Sequence, residues 1–334
     1  MSLEIRRSEP TGPVEAEAAV GRRLRLKSLV NSSLVGVALL ALVLFFTIAT
    51  PYFMTAVNWY HILQDVAVVA VLTVGQAFVI ITAGIDLSQG SVLGLTGVVA
   101  ALAMTGHQPI WLAVVLGLAV GLVVGLVNGG LITLAKLPPF IATLATMSMG
   151  VGAALIITHG EPVFGIPPAF SNFGQGGVSI FPYIALVAIL LAAVFHVVLA
   201  YTRFGRFTYA IGSNALSARL SGLNVRRHLL WVYVLSGLMS AVAGLLMTAW
   251  VNSALPTAGS NYELNSIAAV VIGGGSLFGG EGTMWGSMIG ALLMATLSNG
   301  TQLLGVSTYW QDVLLGLVVV LAVYVDNFRR RTTV

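Results

Sequence analysis

The sequence contains no cysteine. Disulfides, thiol nucleophiles and thiolate metal centres are thereby excluded, and cysteine usage carries no information about redox compartment. Charge is scarce: 8% of the 334 residues are Asp, Glu, Lys or Arg, against about 25% in soluble domains. Lysine occurs only at Lys27 and Lys136. Neither sits in a GxxxxGK(S/T) stretch, so the chain cannot itself be a P-loop ATPase. The histidines (His61, His107, His159, His196 and His228) are scattered without metal-ligand spacing. No HExxH, GxSxG or paired-carboxylate arrangement occurs. The chain therefore reads as a non-enzyme that holds no metal and no cofactor of its own.

What is abundant is apolar. Hydrophobic residues make up 57% of the chain, and mean hydropathy is +0.97. No soluble core of this length could hide that much apolar surface, so the expected fold class is an all-α polytopic membrane protein. Stretches long enough to approach the ~30 Å hydrocarbon layer fall at 31–50, 62–82, 91–106, 110–134, 139–158, 183–201, 229–250, 265–280, 285–304 and 310–326. Segments 91–106 and 265–280 are short and glycine-rich, and neither need span alone.

The cations orient these segments. Threading the N-terminus inside places all 15 Lys and Arg on the cytoplasmic side: the group from Arg6 to Lys27, then Lys136, then Arg203, Arg206, Arg219, Arg226 and Arg227, then Arg329, Arg330 and Arg331. So one-sided a distribution matches the positive-inside rule for an even number of crossings with both termini cytoplasmic. The basic residues read as topology determinants and lipid-headgroup contacts. No basic patch is interleaved with aromatics, so nucleic acid is not an expected partner. Residues 1–29 read as a flexible cytoplasmic tail, 30–326 as the transmembrane domain and 327–334 as a basic cytoplasmic tail.

Two connections are long. Residues 159–182 are polar and rich in Gly and Pro, with Phe164, Phe170, Phe173 and Phe181 as interface anchors. Loops of this length in compact proteins are functional or disordered. Residues 202–228 form the largest internal cytoplasmic connection. Ser213 or Asn214 can cap a helix, and Leu216, Leu220 and Leu223 then form one apolar stripe. Gly222 stands near the stop. The reading is a short surface helix, held by headgroups or by a cytoplasmic protein.

The apolar pattern breaks in two places. The stretch ITAGIDLSQGSVLGLTG, residues 81–97, carries Gly84, Gly90, Gly94 and Gly97 and one acid, Asp86. An ionised carboxylate at membrane depth costs roughly 2.5–3.5 kcal/mol on insertion scales. Two readings are open. Asp86, with Ser88, Gln89, Ser91 and Gln76, borders a polar pathway, or its carboxylate caps the next half-helix through the N–H of Ser88 or Gln89. The second break, residues 265–287, follows the same order of apolar run, glycines, acid (Glu281) and apolar run. Matching interrupted segments in two halves are the pattern of an internal inverted repeat in transporters. Asn265 opens this second region and joins the pathway candidates. Mid-membrane acids are too few to favour the alternative class, an ion-coupled secondary transporter of a small polar solute.

Five stretches in collinear order carry a resemblance: AGIDLSQGSVLGLTG, LPPFIATLATMSMGVGAALIITHGEPV, GRFTYAIGSNALSARLSGLNVRR, YELNSIAAVVIGGGSLFGGEGTMWGSMIGALL and NGTQLLGVSTYWQDVLLGLVVVLAVYVD. From about residue 65 to 326 the chain resembles the permease subunits of ribose-type sugar ABC importers. The resemblance implies about ten helices per subunit in the bacterial cytoplasmic membrane, a homo- or heterodimer of permease chains, and alternating access for a monosaccharide or related polyol. It also implies cytoplasmic ATPase subunits carrying ATP-Mg and an extracytoplasmic sugar-binding protein. On that resemblance the 202–228 loop is the coupling element, with Ser213, Asn214, Leu216, Arg219 and Leu220 at the ATPase. The 159–182 loop, with Glu161, Phe164 and Phe170, faces the binding protein. The chain departs from the common pattern of that family at Gln89, Asn265 and Glu281.

Overall fold

The computed structural model describes residues 35–331; the expected N-terminal tail and the last three residues lie outside that range. The described residues form thirteen helices and one small hairpin. In chain order these are α1 (Val35–Ala49), α2 (Ala56–Ile81), α3 (Gln89–Thr105), α4 (Ile110–Thr133), α5 (Pro139–Thr158), α6 (Pro168–Gln175), β1 (Gly177–Val178) and β2 (Phe181–Pro182). There follow α7 (Tyr183–Tyr201), α8 (Arg203–Ser213), α9 (Ala215–Leu220), α10 (Val225–Val251), α11 (Tyr262–Ile272), α12 (Met284–Leu303) and α13 (Thr308–Arg331). Helices α2, α4, α5, α7 and α10 are each long and apolar enough to cross a membrane; α1, α3 and α11 are shorter apolar helices. The chain is a multi-pass helical membrane protein.

Helix α2 is the interior of the bundle. Its most apolar window is 89% buried, whereas that of α4 is 22% buried although α4 is the more hydrophobic. Hydropathy at this level therefore marks contact with lipid or a partner as readily as it marks the core. Helix α10 packs on α2, α3 and α4. Gly117, Gly121, Gly125 and Gly129 recur every four residues on α4. A Cβ at Gly121 would collide with Gly237, one at Gly125 with Tyr233 and Val234, and one at Gly129 with Leu230. This small-residue ridge brings the α4 and α10 backbones together, where lipid provides no hydrophobic drive for helix association. Helices α2 and α12 are clamped by a reciprocal buried amide pair. Asn58 Nδ2 donates to Asn299 Oδ1 at 3.0 Å and Asn299 Nδ2 donates to Asn58 Oδ1 at 2.9 Å.

The 159–182 connection has its own structure. Val163 and Ala254 exchange backbone hydrogen bonds of 2.9 and 3.0 Å, and the β1–β2 hairpin pairs Gly177 with Pro182 and Val178 with Phe181. Pro168 at the start of α6 presets its first turn. That helix turns Phe170 into a core of Val98, Ile166, Leu245, Ala249 and Ala254. Phe170 is 8% exposed and Phe164 is 68% exposed. The expectation that Phe170 faces a partner is thus corrected: it is a packing residue, and Glu161 and Phe164 remain on the surface.

The 202–228 connection holds two helices where one was expected. Ser213 ends α8, and Asn214 is the cap of α9, its Oδ1 accepting from the Ser217 N–H at 2.9 Å. Gly222, at φ +84°, turns the chain after α9, so Leu223 lies beyond the helix and its stripe.

Candidate functional site

The α2–α3 break is built around Asp86. Helix α2 stops at Ile81, Thr82 folds its hydroxyl back onto the Val79 carbonyl at 2.8 Å, and Ala83 takes a left-handed conformation at φ +61°. The following residues run unwound to Ser88. There Asp86 Oδ1 accepts the Ser88 N–H at 2.9 Å and the Ser88 hydroxyl at 2.6 Å. This Asx turn starts α3. Gly84 is small for a packing reason, since a Cβ there would strike the Tyr233 hydroxyl.

Two donor chains converge on the carboxylate. In the first, the Thr146 hydroxyl of α5 donates to Asn128 Oδ1 at 2.6 Å, Asn128 Nδ2 of α4 donates to Ser88 Oγ at 2.8 Å, and Ser88 donates to Asp86. In the second, Gln89 Nε2 donates to Ser236 Oγ of α10 at 2.9 Å, and Ser236 donates to Asp86 Oδ2 at 2.6 Å. Gln89 also reaches the Leu72 carbonyl of α2 at 3.2 Å and accepts the Ser266 hydroxyl of α11 at 2.7 Å. One network thus ties α2, α3, α4, α5, α10 and α11 together. Each chain donates inward and ends on the Asp86 carboxyl oxygens, which accept from the Ser88 N–H, the Ser88 hydroxyl and the Ser236 hydroxyl. Asp86, Ser88 and Gln89 are at most 1% exposed, and their desolvation is offset by mutually polarising hydrogen bonds.

The sequence-identified residues divide accordingly. Asp86, Ser88 and Gln89 are brought together. Ser91 closes the first turn of α3 by donating to the Ser88 carbonyl at 2.8 Å, and it packs against Gly150 of α5. Gln76 is fully buried on α2, and neither polar atom of its amide has a hydrogen-bond partner among the described residues. Asn265 lies apart, in a cleft between α11, α12 and α13 that Ser298, Thr301 and Gln311 also line. Asn128, Thr146, Ser236 and Ser266 are network members that motif reading missed. Each is a polar residue inside an apolar helix, the type of group that seeks an interhelical partner in lipid, and shares that character with other Ser and Thr of the same helices.

The second break, residues 273–283, is built differently. Gly274, Gly279, Gly280 and Gly282 all have positive φ, conformations open to glycine at little cost. Its backbone hydrogen bonds include Gly275 N–H to Val270 O at 2.8 Å, Ser276 N–H to Glu281 O at 3.2 Å and Gly280 N–H to Ile81 O at 2.9 Å. Glu281 is exposed. From α8, the Tyr209 hydroxyl donates to the Gly282 carbonyl at 2.7 Å. Burial pushes that phenol up to about 12, so it remains a donor at physiological pH. Beyond α8 the surface is apolar and cationic: Leu216 is 67% and Leu220 80% exposed, and Arg219, Arg226 and Arg227 are exposed beside them.

Comparison with known proteins places this architecture. Residues 58–323 match the family described as the permease component of branched-chain amino acid transport systems. The chain is similar to the ribose import permease protein RbsC of Bacillus subtilis, 45% identical over 86% of this chain and 90% of that protein. It is 41% identical to the ribose import permease protein RbsC of Escherichia coli K12, over 92% and 97% of the two chains. It is 37% identical to the fructose import permease protein FrcC of Rhizobium meliloti, over 92% and 89%. No solved structure gives a significant match.

Proposed function

The chain belongs to the permease-component family of binding-protein-dependent transport systems, and from that premise we propose that it is the translocation subunit of an ABC importer for a monosaccharide. The observation that carries the reading is identity of 41–45% with ribose import permeases over nearly the whole of both chains. The fructose permease at 37% identity keeps the substrate at the level of a pentose or hexose.

The roles in this reading are these. ATP hydrolysis belongs to a separate cytoplasmic ATPase subunit, because this chain has no phosphate-binding loop. A substrate-binding protein delivers sugar on the outer side, where Glu161 and the exposed ring of Phe164 offer contact. Two permease chains form the route, and both termini lie in the cytoplasm of the bacterial inner membrane. The exposed arginines grouped on α8, α9 and the start of α10 support that orientation. Leu216, Arg219 and Leu220 dock α9 on the ATPase, and Ser213 and Asn214 form the junction from which α9 projects.

Nucleotide-driven movement of α9 reorients the bundle between outward- and inward-open forms. Six elements meet at the Asp86 network, which makes it the rigid pivot of that movement. The carboxylate already accepts three hydrogen bonds, which suits a structural hub better than a proton or sodium carrier. The route is lined at the outer end by Asn265, Ser298, Thr301 and Gln311, whose amides and hydroxyls match sugar hydroxyls.

Reconstitution tests the reading. Proteoliposomes holding this chain, its ATPase and its binding protein are expected to accumulate labelled ribose or another monosaccharide only with ATP at the ATPase face. Accumulation by the isolated chain under a proton or sodium gradient would overturn it.

A further inference from the structure

Helix α8 touches both helix breaks at once. Its last turn is close-packed at Gly212. A Cβ at Gly212 would collide with the Ile81 carbonyl, at the end of α2, and would press on the Gly280 nitrogen. Gly280 itself donates to that same Ile81 carbonyl at 2.9 Å. Gly279 packs between Ala83 of the first break and the Gly212 carbonyl, and Gly280 packs on Ser213. One turn earlier on α8, the Tyr209 hydroxyl holds the Gly282 carbonyl. On the other side Thr208 Oγ1 lies 2.9 Å from His228 Nε2, at the start of α10. Helix α8 is thus seated on the end of α2, the second break and the foot of α10. Asn214 joins it directly to the exposed α9.

Close-packed contacts of this kind pass displacement on, because packed interiors are stiff and have no free volume to absorb it. A backbone-to-backbone seat at Gly212 has no flexible side chain to yield. We propose that Tyr209 and Gly212 are positioning residues that make α8 a rigid rivet through both breaks, so that movement of α9 reaches the two interrupted segments together. The inference rests on the importer reading above and adds the internal path by which the drive enters the bundle. Tyr209 supplies the directional contact to the second break. Gly212 supplies the close approach to the first.

Two experiments test it in the assembled complex. Tyr209→Phe removes the hydroxyl and keeps the ring. The ATPase is expected to co-purify as with the wild type and to hydrolyse ATP on addition of the loaded binding protein. Sugar moved per ATP is expected to fall at least about fivefold, the smallest effect a coupling of this size gives. Unchanged stoichiometry would overturn the inference. The second experiment leaves α8 intact and uses the absence of native cysteine. Spin labels go on Ser217→Cys of α9 and Glu281→Cys of the second break, both exposed positions. A rivet keeps their distance distribution narrow and unchanged between nucleotide-free and ATP-trapped states. A shift of about 5 Å, one helical turn, would show α9 moving independently of the break and would refute the proposal. A wild-type complex that neither binds an ATPase nor transports sugar would instead defeat the importer reading, so the two failures are distinguishable.

Discussion

The two helix breaks look alike as strings of residues and are held by different physics. Around Asp86 the backbone is unwound and side chains do the work: an acid buried to 1% exposure, two converging donor chains and six elements tied to one carboxylate. Around Glu281 the acid is exposed, and the turn is kept by glycines at positive φ and by hydrogen bonds between peptide groups. An acid among glycines in a membrane segment therefore does not identify a site by itself. The surrounding helices decide whether it becomes a hub or a surface group. The asymmetry also separates two jobs. The first break is stiff and central; the second is compact, glycine-rich and in direct contact with α8.

Substitutions at the two acids sharpen that contrast most. Asp86→Ala leaves the Ser88 N–H, the Ser88 hydroxyl and the Ser236 hydroxyl without their acceptor. Each orphaned buried donor costs about 1–3 kcal/mol, so a loss of roughly 3 kcal/mol or more is expected, read as a large fall in the melting temperature of the detergent-solubilised chain. Unchanged melting would break the hub description. Gly212→Ala comes next. Overpacking at a site with no flexible neighbour costs about 1–3 kcal/mol, and it is expected to lower both the melting temperature and transport. Ser236→Ala removes one acceptor and one donor from the same network. It is expected to cost about 1–2 kcal/mol, and combined with Asp86→Ala to add much less than its own effect, as residues of one network do. Additive losses would place Ser236 outside the hub. Glu281→Ala is the smallest, within about 0.5 kcal/mol as for other exposed positions. A loss matching that of Asp86→Ala would erase the distinction between the breaks.

The elements follow the apolar runs closely, because a 20-residue stretch free of charge in lipid has few alternatives to a helix. The expected run at 139–158 coincides with α5 and that at 183–201 with α7. The Asx turn at Asp86 was legible because its partner Ser88 is two residues away. Asn128, Thr146, Ser236 and Ser266 were not, since nothing local distinguishes a hub partner from any other small polar residue in a membrane helix; only tertiary packing brings each within 3 Å of its partner in the network. Phe170 misled for a related reason. In a Pro- and Gly-rich loop an aromatic reads as a surface anchor, but α6 rotates this ring into the core. The α8–α9 division was hidden because Ser213 and Asn214 both suit a cap, and only the backbone turn at Asn214 selects one.

The most direct test of the claim that this chain moves sugar only when driven from α9 is ribose uptake by the full complex carrying Leu216→Asp and Leu220→Asp. Both side chains are exposed, so melting of the isolated chain should stay within about 0.5 kcal/mol of wild type, while ATPase co-purification and ATP-driven accumulation are lost. Accumulation persisting at the wild-type rate in that variant would contradict the claim.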